Sequence, residues 1–388
     1  MPNSSGDPVI YLIGTCGNPN YGDELITANW LRLLARAMPS AEVWVDTPRP
    51  GQSAVLHGGL HPKVRFVDTL FHACWIAPSD DPEQVMSFGD QVVGDPGLLP
   101  REATGIEDLS RVDLVHILGG GYVNSHWPRH LALVAAAESM SRRYGSRLAM
   151  TGAGLTPIAK ESQQSVCDVL GKFDVVDVRD QPSLDLVAET VSHATFTGDD
   201  AFLDVGLDRL DPRSQMKTLV SIQSDLLSVP LEQIAEYVVR TLQHWNVDQT
   251  PVTLVECLPP DDTAILQLLQ PRVPNIGVLS FSAMWRRGFP AAPRARWITT
   301  RFHPHLVGAA AGAWGVVLPA GGDYAMTPEK TLIDAGSGWA TAEDLETPIT
   351  ASRKVITPYG GALTSIQAKK KQVADHVLEL VTQPKRSS

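Results

Sequence analysis

The chain has 388 residues, 43% of them hydrophobic and 19% charged. That is long enough for two or three domains and too apolar for extended disorder. Its net charge of −11 excludes a role built on bulk attraction to nucleic acid or anionic lipid, but not a local basic pocket.

The polar start, Met1 to Asp7, lacks the basic and then apolar pattern of a signal peptide. Residues 8–14 (PVIYLIG) predict a buried strand, followed by a Gly/Asn/Pro loop and a helix over 23–38. Residues 41–47 and 63–69 predict two further strands, and 76–110, rich in Pro, Gly and acids, an irregular insertion. Strands are then expected over 113–118, 147–155, 175–180 and 194–200, with helices over 130–145, 161–173 and 182–191 between them. Cys16, Cys74, Cys167 and Cys257 form no CxxC pair, which fits a reducing cytosol better than a disulfide framework or a zinc ribbon.

The polar run 207–217 predicts a domain boundary. The alternation then repeats, with strands over 218–224, 251–258, 276–282, 295–300 and 314–319. Helices follow over 231–245, 261–270, 305–311 and 327–336, and one long basic helix over 361–382. The longest apolar stretch, 306–319, is interrupted by Gly312 and Gly315 and falls short of the ~20 residues a bilayer span needs. These patterns predict a cytoplasmic α/β protein with two Rossmann-like parallel-sheet domains facing across a cleft. The expected bounds are 1–210, 211–350 and a C-terminal helix and tail over 351–388.

Ligands of open α/β sheets bind beyond the carboxyl ends of the strands. After the first strand stand Asn18, Gly22, Asp23 and Glu24. The two acids suit a general base on a hydroxyl or a helix-capping role. Gly119, Gly120 and Gly121, and then Gly152 and Gly154, imply backbone that closely approaches another chain segment or a ligand. Arg179 closes one strand, and its alternatives are anion binding or a local ion pair with Asp180 or Asp177. Arg301, His303 and His305 follow the strand at 295–300, and Lys330 comes after the next one. No H-E-x-x-H motif accompanies the histidines, so no metal is expected. Arg179, Arg301, His303 and Lys330 together would make a pocket for a small, multiply charged anion. Lys369, Lys370, Lys371, Lys385 and Arg386 read as a solvated face, with a weak anionic-membrane contact or a return to the first domain as alternatives.

In this order the motifs resemble the polysaccharide pyruvyl transferase family. They are Gly17-Asn18…Gly22-Asp23-Glu24, Gly119-Gly120-Gly121, Gly152-Ala153-Gly154 before Pro157, Arg179-Asp180 before Ser183, Thr197-Gly198-Asp199 and Arg301-Phe302-His303. The resemblance implies a GT-B-like fold and transfer of pyruvate from phosphoenolpyruvate, as co-substrate, to two hydroxyls of a sugar or lipid-linked glycan, with no cofactor. It assigns Arg179, Arg301, His303 and Lys330 to the donor, with Asp23 or Glu24 as base and His303 as acid or phosphate partner. Pro304, His305 and Thr156 depart from the family pattern and imply a changed acceptor or an inactive relative. The alternatives are a GT-B glycosyltransferase using a nucleotide sugar and a catalytically silent glycan-binding relative.

Overall fold

The computed structural model describes residues 6–211, 218–247, 251–350 and 359–386. From Pro212 onward, the polar run read as a domain boundary lies outside the described residues, as do 351–358. The chain divides into two compact units. The first comprises Met1–Asn18, Asp23–Leu203 and Ala368–Ser388, and the second Pro19–Gly22 and Asp204–Gln367.

The first unit is built on seven strands: β1 (Val9–Ile13), β2 (Glu42–Asp46), β3 (Val64–Val67), β4 (Leu114–Ile117), β5 (Arg147–Ala153), β6 (Val175–Val178) and β7 (Thr195–Phe196). All pair in parallel, in the order β3-β2-β1-β4-β5-β6-β7. Every residue of β1, β4 and β6 is buried, as expected of strands covered on both faces. The second unit repeats the plan with β8 (Thr218–Ser221), β9 (Val252–Val255), β10 (Ile276–Leu279), β11 (Arg296–Thr299), β12 (Trp314–Val317) and β13 (Ala340–Thr341). Its strands are also parallel, in the order β10-β9-β8-β11-β12-β13. In each sheet the order reverses beside the first strand, and this sets a switch point at β1/β4 and another at β8/β11.

The stretch expected to be irregular is instead largely helical, with helices at Pro82–Gly94 and Ala103–Asp108. Asp81 caps the first helix by accepting from Gln84 N at 3.0 Å, and Pro82 opens it. Val85, Met86, Val92 and Val93 form its buried face. Gly89 lets the helix lie against the backbone of Ala132 in the helix Leu131–Tyr144. The helix expected over 261–270 is shorter, a 3-10 turn at Asp261–Thr263 and one α-turn at Leu266–Leu269. All four cysteines are buried and free.

The last helix runs Tyr359–Thr382 and, from Ala368, belongs to the first unit. Lys369 and Lys371 are exposed, but Lys370 is fully buried, which corrects the reading of this run as a solvated face. The tail is also held: Arg386 N donates to Gly145 O at 2.8 Å, and its guanidinium pairs with Asp174 at 2.8 Å. Among the described residues no helix is long and apolar enough to cross a membrane.

Candidate active site

In the first unit the loop after β1 leads into the helix Tyr21–Ala37, whose first turn carries Asp23 and Glu24. Their environments differ. Asp23 is half-buried and lies close enough to Tyr122 that, after burial, it is the largest influence raising the phenol well above its usual range. Glu24 is fully buried. One of its oxygens accepts from Gly17 N at 2.7 Å, and the other meets His57 Nε2 at 2.6 Å. Cys16 joins Glu24 and His57 within 4.8 Å, a set of donor types able to hold a cation. The Cys16 thiol is pushed up to about 12, by burial and then by the Glu24 charge. Asn18 is half-buried in the same loop.

The glycine turns after β4 and β5 meet one another. Gly120 N donates to Gly152 O at 3.3 Å, and Gly154 N to Gly120 O at 2.9 Å. Gly121 follows, half-buried, and its carbonyl accepts from Asn124 Nδ2 at 2.9 Å. A Cβ at Gly154 would come within 2.4 Å of Arg179 Nε, so the small residue there is the condition for Arg179's position. At these points the close approach is to another chain segment.

Arg179 closes β6 and its side chain is only 9% exposed. Its Nε lies 3.5 Å from Asp180 Oδ2, and a terminal nitrogen 3.8 Å from Asp199 Oδ2. Asp180 also caps the helix Gln181–Val187 through Ser183 N at 2.9 Å. Asp177, the other partner considered from sequence, turns instead to Lys370, whose Nζ lies 2.6 Å from Asp177 Oδ2 and 3.0 Å from Asp200 Oδ1. Sequence reasoning missed Lys370 as a structural centre. The signal was present, because Lys370, Ala374, Val377 and Val381 share one buried helical stripe.

In the second unit Arg301 stands at the carboxyl end of β11, beside the switch point. It precedes the helix Phe302–Ala310, which starts earlier than the expected 305–311. Its Nε donates to Asp262 Oδ1 at 2.8 Å, and a terminal nitrogen bonds both Asp262 and Asp225, the latter at 3.1 Å. Asp262 is fully buried and also accepts from Cys257 N at 2.8 Å and Leu258 N at 3.1 Å. Burial raises its carboxyl pKa, against the pull of Arg301. Burial alone would lower the Arg301 pKa, but Asp262 and Asp225 outweigh it and raise it.

His303, in the first turn of that helix, is half-buried with its ring against Gly22, where a Cβ would fall 2.0 Å from His303 Nδ1. His305 has a different role from the one its position suggested. It is fully buried, its ring nitrogens meet Glu329 and, at 2.8 Å, Ser337 Oγ, and its ring stacks on Trp339. This imidazole is part of the core. Lys330 is exposed on the helix Gly322–Asp334. The structure therefore gathers Arg301, His303 and Gly22 in the second unit, and Asp23, the glycine turns and Arg179 in the first.

No curated protein matches the sequence. Among solved structures the chain is similar to TcCGT1 in complex with UDP, at 10% identity over 97% of this chain and 99% of that one, with a TM-score of 0.55. It is also similar to S. aureus MnaA bound to UDP, at 13% identity over 98% and 100%, TM-score 0.52. A third is a UDP-N-acetylglucosamine 2-epimerase, at 12% identity over 99% and 92%, TM-score 0.52. At these identities the likeness shows the fold, which is GT-B-like. The family profile described as polysaccharide pyruvyl transferase matches residues 20–256, from the end of the first glycine loop to the end of β9. With more than half of its length covered by that match, the chain belongs to the polysaccharide pyruvyl transferase family.

Proposed function

We propose that this chain moves pyruvate from phosphoenolpyruvate to two hydroxyls of a sugar, in a glycan or lipid-linked precursor, forming a cyclic ketal and releasing phosphate. The carrying observation is Arg301 at the switch-point end of β11, immediately before a helix N-terminus with His303 in its first turn. A guanidinium and a helix N-terminus both favour a carboxylate or phosphate. Asp262 is fully buried and fixes Arg301, while the Asp225 side chain is 38% exposed. Asp225 is then the partner that an incoming anion replaces. Arg179 serves the same donor, and exposed Lys330 is a second-rank contributor.

The chemistry needs a proton on the methylene carbon of the donor, which leaves an oxocarbenium-like centre at the neighbouring carbon. One sugar hydroxyl adds there and gives up its proton, phosphate departs with the electrons of its C–O bond, and the second hydroxyl closes the ketal and gives up its own. Asp23 is the base for the hydroxyls, and His303 is the acid or the phosphate partner. What supports Asp23 over Glu24 is that Asp23 is half-buried, whereas Glu24 is fully buried. The reading calls for no metal or organic cofactor, and it locates the work in the cytoplasm, where phosphoenolpyruvate is made.

The test is the thermal midpoint of the purified protein across a phosphoenolpyruvate titration, with Arg301→Ala alongside. Ligand at 100 times its Kd stabilises by about 2.7 kcal/mol, a shift of a few degrees for a chain of this size. A saturable rise in wild type that is lost in the variant is expected. A response to nucleotide sugars instead would replace this reading with a glycosyltransferase.

A further inference from the structure

Lys370 is fully buried, an arrangement a protein tolerates only with close counter-charge. It has two counter-charges, Asp177 and Asp200, both also fully buried. Each carboxylate is tied to the turns at the strand ends. Asp177 Oδ2 accepts from Gly152 N at 3.2 Å and Thr197 Oγ1 at 2.9 Å. Asp200 Oδ2 accepts from Gly119 N at 3.1 Å, Thr151 Oγ1 at 2.6 Å and Trp30 Nε1 at 2.9 Å. Asp177 lies two residues before Arg179 in the chain, and Asp200 directly follows Asp199, a partner of Arg179. Around Arg179 the unit therefore buries four carboxylates, Asp177, Asp180, Asp199 and Asp200. An anion approaching Arg179 meets their summed field, and Lys370 is the buried cation that offsets it.

We propose that Lys370 is a positioning residue for donor binding: from the returning C-terminal helix it cancels one of the buried negative charges behind Arg179 and holds the glycine turns, so that Arg179 can accept an anion. This rests on the reading above, in which Arg179 contacts phosphoenolpyruvate. The role is electrostatic as well as mechanical, and the two are separable. Lys370→Met leaves both carboxylates without their cation. Lys370→Met with Asp200→Asn removes one positive and one negative charge and restores the local balance. The amide introduced by Asp200→Asn keeps one oxygen for the three donors that Asp200 Oδ2 now serves.

The experiment measures phosphoenolpyruvate affinity by calorimetry, and the KM for donor and for acceptor, in wild type, Lys370→Met, the double variant and Lys371→Ala, an exposed control that pairs with Asp375. Each variant is first checked for folding by circular dichroism. Lys370→Met is expected to weaken donor affinity by about tenfold, the scale of one uncompensated charge at partial burial. Its acceptor KM should stay within a factor of about two. The double variant is expected to recover most of the donor affinity although it lacks the same lysine bonds. Lys370→Met that folds and binds phosphoenolpyruvate as wild type does would overturn the inference. If Lys370→Met does not fold, the double variant decides: binding close to wild type supports the charge argument, and a loss beyond tenfold overturns it. A wild type that does not bind phosphoenolpyruvate overturns the pyruvyl transfer reading and this inference with it, an outcome distinct from equal binding by wild type and variant.

Discussion

Gly22 shows how a single hydrogen atom in place of a side chain can shape the candidate site. A methyl group there would sit 2.0 Å from His303 Nδ1, well inside contact distance, so His303 would have to leave its place at the helix start. Gly22→Ala is therefore expected to cost about 1–3 kcal/mol in urea unfolding, the range for overpacking. It should also abolish the thermal response to phosphoenolpyruvate, and a variant that keeps both would remove His303 from the donor site. His116 makes a different kind of prediction. It is buried beside Trp30, its Nε2 is 2.8 Å from Thr151 Oγ1, and its pKa is lowered to about 4, by burial first, against the pull of Asp200. Between pH 4 and 6.5 the unfolded chain carries a proton on this ring that the folded chain does not, so its contribution makes stability rise with pH across that window. Asp46, raised to about 7 by burial, works in the opposite sense, because the folded state keeps a proton that the unfolded one has lost. Asp46→Asn should therefore steepen the rise in stability from pH 4 to 6.5, and His116→Gln should flatten it. The same slope in all three proteins would contradict both assignments. The place of Arg301 at a strand end was legible in the sequence because it directly follows an apolar run. His305, two helix positions from His303, was not, because its partners Glu329 and Ser337 are distant in sequence.

At the scale of elements, the alternation of apolar runs carried the plan of two parallel sheets well, since strands covered on both faces must be continuously apolar. It failed over 76–110, where acids and glycines hide a helical face. Gly89 is the instructive residue. Alanine would be favoured by about 1 kcal/mol in an exposed helix interior. Here a Cβ would lie 2.3 Å from the Ala132 carbonyl oxygen, a backbone atom that cannot rotate away. Overpacking outweighs propensity, so Gly89→Val is expected to lower stability by about 2–3 kcal/mol in denaturant unfolding. A midpoint at or above wild type would mean that the two helices can part without loss. The short strand β7 and the shortened helix near Leu266 carry the same lesson: propensity marks an element's presence, and tertiary contacts set its ends.

For the whole molecule, the sequence left three places open for the last helix: a solvated face, a membrane contact and a return to the first domain. The last helix reads as basic and solvated, yet from Ala368 it belongs to the first unit, burying Ala374, Val377, Leu380 and Val381 together with Lys370. A sequence window shows three lysines in a row. Only the fold shows that the middle one meets two acids 193 and 170 residues away. Ending the chain after Gln367 would therefore remove an apolar face and leave Asp177 and Asp200 buried without a cation, a loss of about 3–5 kcal/mol from the charges alone. The damage should be local to the first unit. Hydrogen exchange of the truncated chain is expected to show lost protection in β5, β6 and β7, which carry or adjoin those acids, while β8, β9 and β11 keep theirs. Protection retained in β6 would mean that the returning helix is an accessory to the sheet, and protection lost equally in both sheets would mean that the two units unfold as one.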